Sequence, residues 1–257
     1  IDGILMIGGW AGYQSAHALQ ELSDEFPALK IPVVCLPASI NNDLPASELS
    51  IGADTALNSI VNDVDKIKQS AVASRRSFVV EVMGHDCGYL ALMSGLATGA
   101  ERVYLPEQGI SLHDLEVDLT ALKDGFAHGK RLGLVIRSEK SDEIYTTSFI
   151  KALFEREGEG LFDVRGAILG HVQQGGDPSP FDRIQAARLA WESVRHLVDQ
   201  AIAHDPTDLM VGLQHGKIRF TPLAEFPDLV ETDAHRPTEQ GWMALQPVAD
   251  VMARPDA

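Results

Sequence analysis

IDGILMIGGWAGY, residues 1 to 13, carries an apolar run at 4–7 straight into paired glycines and then into residues that suit a helix. A short apolar run bounded by a glycine turn and followed by helical sequence is the opening of a βα unit. The glycines stand where backbone must approach something closely, and amides at the start of a helix suit a phosphate. GGWAGY does not have the G-x-G-x-x-G spacing of a dinucleotide turn, and a tight strand-to-helix turn accounts for it equally well.

Working outward, the same alternation continues. Strands are predicted at 32–36, 78–83, 132–136, 167–169 and 209–213, with helices at 50–71, 181–204 and 238–253. The helix after Ser50 shows an apolar stripe through Ile51, Ala56, Ile60, Val64 and Ile67. Strands alternating with helices predict an α/β fold with mostly parallel sheets flanked by helices, and ligands in such sheets gather at the carboxyl ends of the strands. Five loops fall there: GGWAGY, PASINND (37–43), MGHDCG (83–88), RSEK (137–140) and GHVQQGGDPSPFDR (170–183). The last supplies a His and two Gln ahead of a Gly-Gly turn, with Asp182 and Arg183 placed to pin the loop at a helix start, so it reads as a loop binding something polar.

The chain's 257 residues are 45% hydrophobic and 23% charged, which places it among globular proteins, and 21 basic against 37 acidic residues give a net charge of −16. Such a surface excludes nucleic acid and anionic membranes as partners, and any phosphate must be held by local Arg and His against the overall field. No apolar run reaches the ~18 residues of a membrane span. Cys35 and Cys87, both in apolar surroundings, read as reduced structural thiols of a cytoplasmic protein. The chain opens inside an apolar run without Met, so a fragment of a longer protein is expected. Trp191 and Trp242 read as packing residues of the C-terminal helices.

Taken together, LMIGGWAGY, LPASINNDLP, the GADTALN helix start, EVMGHDCGYLAL, GLVIRSEK, LGHVQQGGDPSPFDR and a late AHRP resemble the phosphofructokinase family in order and spacing over essentially the whole chain. The resemblance implies one phosphofructokinase-like region over 1–257, with possible sub-lobes 1–106 and 107–257, lacking the opening βα part. Gly-Gly-aromatic at Trp10 and the double Gln are similar to the C-terminal, regulatory half of the fused eukaryotic-type subunit.

Active halves of that family carry a magnesium-holding Asp where Trp10 stands and a catalytic Asp where Asn41 stands. An indole does not ligate magnesium and an amide is not a base near neutral pH, so no catalytic residue and no metal are expected here, with Asp43 the remaining carboxylate. By the same resemblance ATP and magnesium belong to the catalytic half. The sugar-phosphate contacts are kept. Arg76, Arg165 and His171 match phosphate ligands, Arg236 matches a further one in the regulatory half, and Glu139 matches an acceptor of sugar hydroxyls. Ser39, Asn41, Met83 and Gln174 complete the implied pocket, and His85 stands where active halves have Arg. Arg76 and Arg165 would serve a neighbouring subunit, which implies a homo-oligomer with shared sites. The expected function is a non-catalytic allosteric half of an ATP-dependent 6-phosphofructokinase of glycolysis, binding a fructose bisphosphate. The alternatives are a working sugar-phosphate kinase using Asp43 and a purely structural interface region.

Overall fold

The computed structural model describes residues 1–71, 74–203 and 206–252, so the last positions of the helices expected to end at 204 and 253 lie outside the described residues. The chain forms two compact units, Ile1–Thr55 with Asp177–Gly241, and Ala56–Gly176 with Trp242–Ala257. This is not the division expected at 106/107. A cut there would sever the second unit's sheet, where β5 (Arg102–Tyr104) and β4 (Arg76–Val82) both pair with β6 (Leu132–Ser138). It would also leave β2 (Val33–Ser39) apart from its partner β8 (Leu209–Gln214).

In the first unit, β1 (Ile4–Gly8), β2 and β8 run parallel, and β9 (Lys217–Pro222) closes the edge antiparallel to β8. β3 (Ile51–Gly52) adds two residues beside β2. Both faces of β2 are buried, as its unbroken apolar sequence requires. Val33 and Cys35 pack with Tyr13, Met210, Leu223 and Phe226, while Val34 and Leu36 pack with Val211 and Leu189. The helices are α1 (Trp10–Leu22), which begins inside the GGWAGY stretch rather than after it, and α6 (Pro180–Ala203). Because α6 turns Leu189 and Leu197 toward the sheet, Trp191, two residues and some 200° further round the helix, is 70% exposed rather than packed.

The second unit holds an all-parallel sheet in the order β5-β6-β4-β7, with β7 at Asp163–Ile168. Its core joins Val79, Val135 and Val164 of the strands to Leu115, Leu122 and Phe126 of α4 (Leu112–Ala127) and Ile150 and Phe154 of α5 (Thr147–Glu157). α4 starts on a reciprocal cap: the Ser111 hydroxyl accepts from the Asp114 N–H, and the Asp114 carboxylate accepts from the Ser111 N–H. Trp242 packs as expected, edge-on to Tyr89 at 6.0 Å.

α2 (Ala53–Ala71) begins three residues later than the Ser50 start read from the sequence. Its first turn is capped from a distance, because buried Asp182 accepts from the Gly52 N–H at 3.0 Å, the Thr55 N–H at 2.8 Å and the Thr55 hydroxyl. Ser179 in turn accepts from the Asp182 N–H at 3.2 Å and caps α6. Asp182 thus pins its loop as the sequence suggested. Both cysteines are buried and neither forms a disulfide, and burial, followed by the charge of Asp208, pushes the Cys35 thiol up to about 12. Among the described residues no helix is long and apolar enough to cross a membrane.

Candidate functional site

In the first unit the residues at the strand ends are used up by one another. Asp43 is buried at 5% exposure; one carboxylate oxygen accepts the Ser39 hydroxyl at 2.9 Å and the other accepts the Asn41 amide at 3.1 Å. The Asn41 N–H returns to the Ser39 oxygen at 3.2 Å, closing the ring. Asn42, in the left-handed conformation at φ 58, is buried beside it, and its side chain donates to the Glu48 carbonyl and accepts from the Ser50 N–H. The loop is tied down again at β8, where the Leu213 N–H donates to the Ser47 hydroxyl at 3.1 Å. Gly212 is obligatory there, because a side chain would strike the Ala46 carbonyl.

Trp10, the first residue of α1, turns its indole into an aromatic cluster, 5.5 Å from Phe226 and 4.9 Å from His235 between ring centres. Its Nε1 is buried without a hydrogen-bond partner. These residues do not fit magnesium: the position beside Gly9 offers an N–H donor, and the one carboxylate, Asp43, has both oxygens engaged. A sugar hydroxyl seeking Asp43 as a base would meet a carboxylate that is buried and already accepts from Ser39 and Asn41. Arg236, on the short strand β11 (Arg236–Pro237), meets Glu231 of β10 (Val230–Glu231) through Nε at 2.9 Å and Nη2 at 2.8 Å, both on the one oxygen Oε2, which orients the guanidinium.

In the second unit the strand-end loops are braced from below and leave polar groups at their surface. Glu139, just past β6, accepts the Gly84 N–H at 3.2 Å and the His85 N–H at 2.9 Å on the same oxygen, Oε1. Both donors lie in left-handed or mirror-extended backbone, φ 156 for Gly84 and 51 for His85, and a side chain at Gly84 would collide with the Cys87 carbonyl. The His85 imidazole meets Asp86 at 2.6 Å through Nδ1. Met83 stands between the glutamines of the HVQQGG turn: its N–H donates to buried Gln173 at 2.9 Å, and its sulfur accepts from Gln174 at 3.5 Å. His171 and Gln174 are exposed on that turn. Met83, His85, Glu139, His171 and Gln174 therefore all lie on loops that follow parallel strands of one sheet.

Arg76 and Arg165 are not brought to them within the chain. Arg76 opens β4 and Arg165 sits in the first half of β7, at the amino ends of strands whose carboxyl ends carry the other residues. At ~3.3 Å per residue, seven residues of β4 separate Arg76 from Met83 by about 20 Å. The two arginines share Asp163 instead, at 3.7 Å and 3.6 Å. An Arg76/Arg165/His171 cluster thus does not form from one copy, because parallel strands put the two ends of each strand on opposite rims.

Three residues escaped the reading of the sequence. Gln173 is the buried brace of the Met83 loop, and buried Arg137, two residues before Glu139, pairs with half-buried Glu81 at 2.9 Å. Burial drives the Arg137 guanidinium down from its ordinary value, and Glu81 offsets part of that. The signal was present: an Arg in the apolar strand LGLVIRS facing a Glu in the apolar strand RSFVVEV. A cleft of about 440 Å³ opens above the pair, lined also by Glu139, Asp142 and Thr147.

Parallel sheets flanked by helices, with polar residues on the strand-end loops, define an α/β protein of the class whose members bind ligands at such rims. A family model described as phosphofructokinase matches residues 1–197. The chain is 45% identical over 248 residues, 95% of its length, to an ATP-dependent 6-phosphofructokinase of Dictyostelium discoideum, and 40% identical over 99% of its length to the human muscle-type enzyme. It superposes on the phosphofructokinase structure from Saccharomyces cerevisiae with a TM-score of 0.95 at 34% identity, covering 98% of this chain. The chain belongs to the phosphofructokinase family. It spans about a third of these relatives' length, 30% and 34% of the two sequences and 35% of the yeast chain.

Proposed function

We propose that this chain is the non-catalytic, allosteric part of an ATP-dependent 6-phosphofructokinase, and that it holds a fructose bisphosphate, fructose 2,6-bisphosphate by resemblance, without transferring phosphate. The observation that carries the reading is the closed ring of Ser39, Asn41 and Asp43 beside an indole at position 10. Phosphoryl transfer needs a group to take the sugar proton and charge to neutralise the transferred phosphoryl, and the amide at 41 and the indole at 10 offer neither, while Asp43 is buried and engaged. Glu139 and His171 remain as an acceptor for a sugar hydroxyl and a hydrogen-bond donor to a phosphate, with Met83, Gln174 and His85 on the second unit's loops. Ser39 and Asn41, pocket residues by resemblance, are held in the first unit by Asp43. Arg236, already preset by Glu231, is the ligand for a further phosphate.

Arg76 and Arg165, together on the opposite rim, serve the ligand of a neighbouring copy, so the functional form is a homo-oligomer. ATP and magnesium are handled by sequence outside this region, and the whole protein works in the cytoplasm on the glycolytic conversion of fructose 6-phosphate to fructose 1,6-bisphosphate. The test is incubation of the chain with fructose 6-phosphate and magnesium ATP alongside a binding titration with fructose 2,6-bisphosphate. The reading expects binding and no bisphosphate product. Magnesium-dependent product that disappears in Asp43→Ala would replace it with the kinase reading.

A further inference from the structure

A guanidinium at 2% exposure is costly to bury unless its donors are satisfied, and Arg137 spends them on one loop. Its Nε donates to the Tyr145 carbonyl at 3.1 Å, its Nη1 to the Glu139 carbonyl at 3.2 Å and its Nη2 to the Asp142 carbonyl at 2.5 Å. Nη1 also meets the Glu81 carboxylate, on the residue paired with Arg137 across the two strands. The same Glu81 oxygen accepts the hydroxyl of buried Thr147, the first residue of α5. Three backbone carbonyls of residues 139–145, one neighbouring strand and one helix start are thereby fixed to a single side chain. The residue at the head of that loop is Glu139, whose carboxylate holds the Gly84 and His85 amides.

We propose that Arg137, with Glu81 and Thr147, forms a positioning device that sets the Glu139 carboxylate for a sugar hydroxyl and couples it to the Met83–His85 loop. The proposal rests on the sugar-phosphate reading of Glu139, and it adds residues that do not themselves meet the ligand. An ion pair serving stability alone needs Glu81; it does not need the three carbonyls of the ligand loop. The planar fork is what reaches them, so a lysine, with a single donor centre, keeps the charge and loses the loop.

The test uses Thr147→Val, Arg137→Lys and Glu139→Gln, singly and with each of the first two added to the third. Fructose 2,6-bisphosphate affinity, thermal midpoint, and residue-resolved hydrogen exchange are followed in each. The expected result is on the order of tenfold weaker binding in Thr147→Val and in Arg137→Lys, with no further loss when either is added to Glu139→Gln. The Gly84 and His85 amides exchange on the order of tenfold faster while β8 amides keep their protection. Unchanged protection of Gly84 and His85, full rescue by Arg137→Lys, or losses that simply add to that of Glu139→Gln would overturn the proposal. Should Arg137→Lys fail to fold, Thr147→Val carries the same comparisons. If the wild type binds neither the bisphosphate nor fructose 6-phosphate, the functional reading falls, and the exchange measurement decides the positioning device by itself.

Discussion

The loop at 39–43 and the loops at 83–85 and 139 sit at the same place in their respective sheets, past the carboxyl end of parallel strands, yet they have opposite fates. In the first, the polar side chains turn on their own loop: Asp43 accepts from Ser39 and Asn41, and Asn42 bonds to Glu48 and Ser50. In the second, buried groups such as Gln173 and Arg137 support the backbone from beneath, and His171 and Gln174 remain exposed. A polar residue at a ligand-binding rim is informative only after its partners are counted. On the proposed function, the first loop is closed architecture and the second is the surface that meets the ligand.

That contrast predicts stability effects in the first unit and affinity effects in the second. The largest is expected for Asp182→Ala, which strips three donors at the start of α2. We expect a loss of about 3 kcal/mol, seen as a lower thermal midpoint, with bisphosphate affinity unchanged well below it. His171→Ala is next and has the opposite signature. It should weaken fructose 2,6-bisphosphate by roughly 30-fold, the worth of one charge-assisted hydrogen bond, and leave the midpoint alone because the side chain is exposed. An unchanged affinity there would erase the distinction between the loops.

Asp43→Asn should cost about 1–2 kcal/mol, since an amide cannot accept on both sides and one of Ser39 or Asn41 loses its partner. Denaturant unfolding measures it. The smallest effect is at Ser111→Ala, about 1 kcal/mol from the broken cap. There the Ser111 hydroxyl and then its backbone N–H hold the Asp114 carboxyl below its ordinary value. The folded state thus binds that proton less readily than the unfolded one. The cap's contribution is full above the usual aspartate range and fades as the pH falls through the lowered value, so variant and wild type should converge on acidification.

Much of this was legible. Apolar runs located five strands to within a few residues, because parallel strands buried on both faces are written as continuous apolar sequence. β7 begins at Asp163 rather than 167, since its first half, DVRG, is polar where it faces solvent. β9 went unread, although His215 and Gly216, at φ 51 and 72, form the kind of turn that joins two strands, with Ile218 and Phe220 alternating beyond it. Trp191 was misjudged because hydrophobicity alone does not say which side of α6 faces the sheet. The family's motifs named candidate site residues one by one, but not the groups those residues meet. That Asp43 is consumed by Ser39 and Asn41, that Asp182 caps a helix 127 positions away, and that Arg76 stands on the far rim from His171 are facts of chain geometry.

The central claim is that this region holds a sugar phosphate and does not transfer one. Calorimetric titration of the chain with fructose 2,6-bisphosphate and with fructose 6-phosphate, in wild type and His171→Ala, tests it most directly. The account predicts tighter binding of the bisphosphate, lost on removing the imidazole. Preference for the monophosphate, or bisphosphate binding indifferent to His171, would contradict it.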